Sequence, residues 1–212
     1  MNIPFTTEEF FQIIEKYNTS LFPSQIFILI LGLVAVLLLH NKRAFKNKLI
    51  GGFLAFLWLW TGLFYHILNF TEINKAAYVF GAIFILQGLF LLYEVFIRGK
   101  LVFEFKANFI NYLAYFFIWF GLIVYPVLIY ALDGSFNQVI SLGLPCPTTI
   151  ITFGFLIITH RSFSKYLLII PTIWAIIGTG AAINFGVYPD YLMLISAVIA
   201  DIYLFGRNKA KE

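Results

Sequence analysis

The 212-residue chain is 61% hydrophobic and only 11% charged, with 26 phenylalanines, and so has too few polar side chains to cover a soluble globule. This composition excludes an ordinary soluble enzyme and predicts an all-α, polytopic membrane helix bundle. The net charge of +4 does not imply nucleic acid, because the basic residues lie in short segments between apolar runs, and the single cysteine excludes an intrachain disulfide.

The first twenty residues carry Glu8, Glu9, Glu15 and Lys16 where a cleaved signal peptide needs a basic start and an apolar core, so none is expected. Thr6-Thr7-Glu8-Glu9 reads as a capping box. Phe10, Phe11, Ile13, Ile14 and Tyr17 then fall largely on one helical face, which predicts an amphipathic interfacial helix over residues 1–21, acting as a simple anchor.

Residues 22–206 hold seven predicted spans. The first runs from Phe22 to His40, the second from Leu49 to Phe70 and the third from Ala76 to Ile97; the fourth, Asn108 to Leu132, should kink at Tyr125-Pro126. A short fifth starts at Pro147, the sixth covers Tyr166 to Phe185 and the seventh begins at Pro189. The Gly178-Thr179-Gly180-Ala181-Ala182 run of the sixth is expected to let a neighbouring backbone come close. Residues 207–212 form a basic tail. Of the 14 Lys and Arg, all but Lys16 and Lys75 lie in the loops after the first, third and fifth spans or in the tail. That bias places the N-terminus outside and the C-terminus in the cytoplasm of a cell (inner) membrane.

The segment Ser141-Leu142-Gly143-Leu144-Pro145-Cys146-Pro147-Thr148-Thr149 carries the strongest local signal. Pro147 suits the first helical position, with Cys146 as N-cap, and the N–H groups of Thr148, Thr149 and Ile150 would then gather positive potential beside a thiol and favour anions. From Pro147 to His160 the helix rises about 21 Å against roughly 30 Å of hydrocarbon. Either it begins below the membrane surface, where its loop lines a pocket, or the turn is an ordinary surface cap and the helix runs on to Phe163.

Orientation sorts the polar residues into layers. Tyr65, His66, Asn69, Asn74, Tyr125, Cys146, Thr148 and Thr149 share the outer one, Gln87 is near mid-membrane, and His40, Glu94, His160 and Asp201 are inner. His66 and Cys146 at one depth offer two ligands for a soft metal ion or a shared proton. Two ligands fall short of a metal site, and the ordinary states are a histidine bonded to a carbonyl or Tyr hydroxyl and a small buried thiol. Glu94 should pair with Arg98 four residues on, Asp201 with an inner-loop cation, and Gln87 should bond between helices or line a solute path. Trp58-x-x-x-Gly62 is echoed by Trp174-x-x-x-Gly178, as a three-plus-one-plus-three parallel repeat requires.

Phosphate-loop, His-Glu-x-x-His, nucleophile-elbow and Cys-x-x-Cys motifs are missing, and no cofactor is predicted. Pro4-Phe5-Thr6-Thr7-Glu8-Glu9-Phe10, Tyr65-His66, Ile73-Asn74-Lys75-Ala76-Ala77 with Phe80-Gly81, and above all Gly143-Leu144-Pro145-Cys146-Pro147-Thr148-Thr149 carry a resemblance over nearly the whole length. In these motifs the chain resembles a bacterial family of integral membrane proteins catalogued as a domain of unknown function. That family's Asn-Pro-Ala-Ala is Asn74-Lys75-Ala76-Ala77 here, which loosens the start of the third span. The resemblance implies a fold and supplies no catalytic residues.

The expected partners are the lipid bilayer and a small solute or ion, bound or transported through an outward-facing polar pocket; oligomeric state is left open. The alternatives are a membrane-embedded thiol or quinone-linked redox enzyme with Cys146 as nucleophile and His66 as base, and a structural or assembly subunit.

Overall fold

The computed structural model describes residues 4–133, 135–160 and 163–209. Arg161, residues 210–212 of the basic tail and the side chains of residues 207–209 lie outside the described residues. Among the described residues the fold is all-helical, with no β-strand.

The capping box forms as expected: the Glu9 N–H donates to the Thr6 hydroxyl at 3.2 Å and the Thr6 N–H to the Glu9 carboxylate at 2.7 Å, opening α1, Thr7–Leu21. A bend of 85° separates α1 from α2, Ser24–Leu39. α1 is more than an anchor, because Ile13, Ile14 and Tyr17 are buried within the protein. Its side chains also hold the loop that precedes the short apolar helix. Asn18 donates to the carbonyls of Asn137 and Val139 at 2.8 and 2.9 Å, and Gln138 donates to Glu15 at 3.0 Å.

Three of the following helices widen into π-helix at their ends. α3, Lys46–Trp60, continues as π-helix over Thr61–Ile67; α4, Ala77–Leu92, over Tyr93–Ile97; and α5, Phe109–Trp119, over Phe120–Val124 before α6, Tyr125–Asp133. The kink expected at Tyr125-Pro126 takes this form, since Pro126 has no N–H for the Leu122 carbonyl and the turn before it widens. α7 is Pro145–Ile157, α8 is Ile169–Phe185 and α9 is Tyr191–Lys209.

Five helical stretches, Lys46–Glu72, Ala77–Ile97, Phe109–Leu132, Lys165–Phe185 and Tyr188–Gly206, are long and apolar enough to cross a membrane, and the bent α1–α2 pair brings the number to 6 if it is one span. Their outward faces are apolar: Leu37, Ile97, Ile176 and Ile202 are each more than half exposed, as side chains that meet lipid should be.

α7 is the centre of the bundle, enclosed by α3, α5, α8 and α9, and every one of its residues except Cys146 is buried. Its 13 residues span about 20 Å, too little to cross a membrane alone. Both its ends are closed by protein. At one end the turn Ser141 to Leu144 lies beneath α1; at the other the extended segment 101–106 takes over, with the Glu104 N–H donating to the Ile158 carbonyl at 3.2 Å and the His160 N–H to the Val102 carbonyl at 2.7 Å. Non-helical backbone is thus satisfied internally at both ends, as a low-dielectric surrounding demands.

The close backbone approach expected at Gly178 to Ala182 occurs elsewhere. A Cβ at Gly180 would meet nothing within 4 Å, and one at Gly178 would meet the Met193 side chain. One tight pair is the π-helical end of α3 with α4, where a Cβ at Gly62 would lie 2.9 Å from the Gly81 carbonyl and one at Gly81 2.8 Å from the Gly62 carbonyl; another is α5 with α7, where a Cβ at Gly154 would lie 2.8 Å from the Ala114 carbonyl. The two tryptophans of the Trp-x-x-x-Gly echo meet on one ring: Trp58 and Trp174 pack against Phe84 at 4.4 and 4.9 Å.

Candidate functional site

The turn before α7 is built on Gly143, the third residue of a tight turn closed by the Leu144 N–H donating to the Ser141 carbonyl at 3.1 Å. Its φ of +93° is a conformation that favours glycine. The Gly143 carbonyl accepts from the Tyr17 hydroxyl at 3.0 Å and the Thr61 hydroxyl at 3.1 Å, while Trp60 donates to Tyr17 at 2.7 Å. One carbonyl therefore ties α1, the widened end of α3 and the entry to α7 together. The Thr148 hydroxyl accepts the Gly143 N–H at 3.4 Å and completes the knot.

The start of α7 differs from expectation. Leu144 is the N-cap and Pro145 the first helical residue, so Cys146 lies inside the first turn instead of capping it. Pro145 fits that position as well as Pro147 does, because neither has an N–H to lose. The consequence for charge is large. Two of the first three helical residues are prolines, and the Thr148 N–H is taken by the Leu144 carbonyl at 3.4 Å. Cys146 is left as the one residue of that turn with an N–H to offer, so the anion-favouring end is not built. Thr149 spends its hydroxyl on the Pro145 carbonyl at 2.8 Å.

What gathers around Cys146 is a carboxylate. Asp190, in the 3₁₀ turn Tyr188–Asp190 that leads into α9, is 4% exposed and accepts a short hydrogen bond from the Tyr125 hydroxyl. The half-buried Cys146 thiol lies within interaction range of that carboxylate and of the Trp174 ring nitrogen. The Trp174 N–H makes no hydrogen bond of ordinary geometry, so its approach to the sulfur is a contact and not a bond. Tyr65 completes the group: its ring stacks on Phe70 at 5.4 Å, meets Tyr17 edge-on at 5.8 Å, and stands in electrostatic reach of Cys146 and Asp190. Among the described residues no Lys, Arg or His lies within ion-pair distance of Asp190.

His66 occupies an aromatic box that shares Tyr65 and Trp174 with this group. It is fully buried, with the rings of Phe84, Trp174 and Tyr65 at 4.6, 5.1 and 5.1 Å and those of Phe80 and Phe70 at 5.9 and 6.2 Å. Neither ring nitrogen has a hydrogen-bond partner. The expected carbonyl or Tyr partner is therefore not there, and neither is the Cys146–His66 pair that a thiol–imidazole mechanism needs. Nor does the metal reading gain a third ligand: among the described residues no three His, Cys, Asp or Glu side chains converge. A buried imidazole with two unpaired nitrogens is costly, and such groups persist at sites that use them.

The remaining candidates stand apart. Asn69 donates to the Phe64 carbonyl at 2.7 Å and caps the π-helical end; the Asn74 side-chain oxygen accepts the Ala76 N–H at 3.0 Å in a local turn. Gln87 donates to the Leu167 carbonyl at 2.9 Å, and its own oxygen is unpaired. Glu94 pairs with Arg98 at 2.6 Å as expected, but Asp201 accepts from the Thr172 hydroxyl at 2.9 Å in place of a loop cation.

Sequence reasoning found Tyr65, Tyr125 and Cys146 but missed Asp190 and the role of Trp174. The signal for Asp190 is Tyr188-Pro189-Asp190 itself: a proline that starts a membrane helix fixes the next acid in its first turn. A model of a protein family of unknown function matches residues 7–212, which takes in the whole bundle from the first residue of α1. No curated protein and no solved structure matches the chain.

Proposed function

We propose, from the premise that the chain belongs to the DUF6064 family, that it is a seven-span membrane protein that binds a small cationic or neutral hydrogen-bonding solute around Asp190. Three features support the seven crossings: the five long apolar stretches, the bent α1–α2 pair, and α7 completed at each end by protein backbone. The excess of Lys and Arg at the end opposite α1 supports an outward N-terminus, which would put the cluster on the outer side of the cell membrane.

One observation carries the choice of solute: Asp190 is a buried carboxylate with no Lys, Arg or His within ion-pair distance among the described residues. An acid inside a membrane protein is expensive without a positive partner, and the ordinary reason for keeping one is a cation that comes and goes. Phenol oxygens of Tyr65 and Tyr125 and the Cys146 sulfur add softer attraction for an ammonium or metal cation. An anion meets a carboxylate and a helix start stripped of donors.

Transport is supported by a second set of unpaired acceptors. The Gln87 side chain on α4 and the Glu94 side chain on its π-helical continuation are fully buried, and each keeps one oxygen without a partner. A solute leaving the Asp190 cluster would meet them as hydrogen-bond acceptors.

The test is thermal stabilisation of the purified full-length chain in detergent by sodium, potassium, zinc, cuprous ion and small primary and quaternary amines. At least one probe raises the melting temperature of the wild type, and Asp190→Asn, which keeps an acceptor for Tyr125, abolishes that rise. A response preserved in Asp190→Asn, or no response from any probe, overturns the reading.

A further inference from the structure

At the end opposite α1, the link between α2 and α3 forms one wall of an open cavity of about 570 Å³, and residues 102–105 form the other. The chemistry of the two walls is unequal. The first contributes Lys42, Arg43 and Lys46 with His40, and no acid; the second contributes only Glu104. Among the described residues no carboxylate lies within ion-pair distance of Lys42, Arg43 or Lys46. Glu104 pairs with His160 at 3.6 Å and stands in electrostatic reach of Lys46, beyond ion-pair distance of all three cations.

The walls are held in place by the backbone. Asn47 accepts the Phe103 N–H at 2.9 Å across the gap, Lys46 donates to the Leu39 carbonyl at 3.1 Å, and the Arg43 N–H is turned inward by Asn41 at 2.8 Å. The cavity therefore exists before a ligand arrives. The first turn of α3 begins at its rim, and the positive end of that helix adds to the field of the three cations.

The basic residues of this opening have exposed apolar neighbours along the chain. Leu37 is 71% exposed, Leu49 50% and Phe45 45%, and these side chains flank the basic residues in sequence on both sides. An occupant that satisfies both features has an anionic head and hydrocarbon tails.

We infer that this cavity is a binding site for the phosphate headgroup of an anionic phospholipid, with Lys42 and Arg43 as its principal contacts and the acyl chains lying along Leu37, Phe45 and Leu49. Basic pockets at the ends of membrane helices recognise such headgroups through charge and phosphate hydrogen bonds. A soluble phosphate would use the cations and leave the exposed Leu37, Phe45 and Leu49 side chains unused, which favours the lipid. The site stands on different residues from the Asp190 cluster and does not depend on the solute assigned there.

Native mass spectrometry of the full-length chain in detergent tests it, by titration with phosphatidylglycerol, phosphatidylcholine of the same acyl chains, and glycerol 1-phosphate. Phosphatidylglycerol binds more tightly than phosphatidylcholine, and the double variant Lys42→Gln with Arg43→Gln loses about 25-fold of the phosphatidylglycerol affinity, at about five-fold per cation. Phosphatidylcholine binding and the Lys75→Gln control, at the far end, do not change. Equal affinity for the two lipids, or full phosphatidylglycerol affinity in the double variant, overturns the site. Glycerol 1-phosphate binding as tightly as the lipid overturns it in another way, making the ligand a soluble phosphate.

Discussion

At the α1 end, Asp190, Cys146, Tyr125 and His66 are packed among aromatic rings; at the opposite end Lys42, Arg43 and Lys46 stand around an open cavity. Both groups are polar, but the physical terms differ. A buried group that lacks a partner raises the energy of the folded state by its lost hydration, whereas an exposed cation keeps its water and contributes little either way. Substitutions at the first end should change stability in strongly signed ways, and substitutions at the second should change ligand binding alone.

The largest effect is expected at Gly143. Alanine there combines a left-handed backbone with a Cβ 2.8 Å from the Tyr17 hydroxyl and 3.1 Å from the Trp60 ring nitrogen. Gly143→Ala should cost roughly 3 kcal/mol, seen as a large drop in melting temperature in detergent, while Gly180→Ala, with nothing within 4 Å of its Cβ, serves as the neutral control. Similar melting of the two variants would remove the knot from the account.

His66→Leu should move the other way. Removing two unpaired buried nitrogens at nearly constant volume is expected to stabilise the unliganded protein by about 1–2 kcal/mol. A loss of stability would show that the imidazole has a partner after all, and the contrast between the ends would weaken. The smallest effect belongs to the basic cavity: the double Lys42→Gln and Arg43→Gln variant should stay within about 0.5 kcal/mol of wild type in the same melt. A larger loss would mean that these cations hold the fold and are not reserved for a ligand.

The apolar runs and the Thr6 to Glu9 capping box were legible because each depends on local spacing, and so was the short reach of α7. The site was legible only in part. Depth can be read from orientation, which brought Tyr65, Tyr125 and Cys146 into one layer, but facing cannot be read across a π-helical segment. Each such turn holds more residues than an α-turn and rotates everything after it, and Tyr65 and His66 lie within one. Asp190 was lost for a different reason. Read by hydropathy, Pro189-Asp190 marks where a span starts, and only tertiary packing sets its carboxylate beside Tyr125. The two-residue error at the start of α7 has a plain cause as well, since Pro145 and Pro147 both meet the requirement for a first helical residue.

The bond between Tyr17 and the Gly143 carbonyl has a temporal side. Ribosomes release residue 17 long before residue 143, so α1 has to wait at the membrane, its tyrosine unmatched, through the insertion of three or four later helices. Docking of that waiting helix is then a closing act of biogenesis, and a bulky domain fused ahead of α1 would hinder it even though every later helix had inserted correctly.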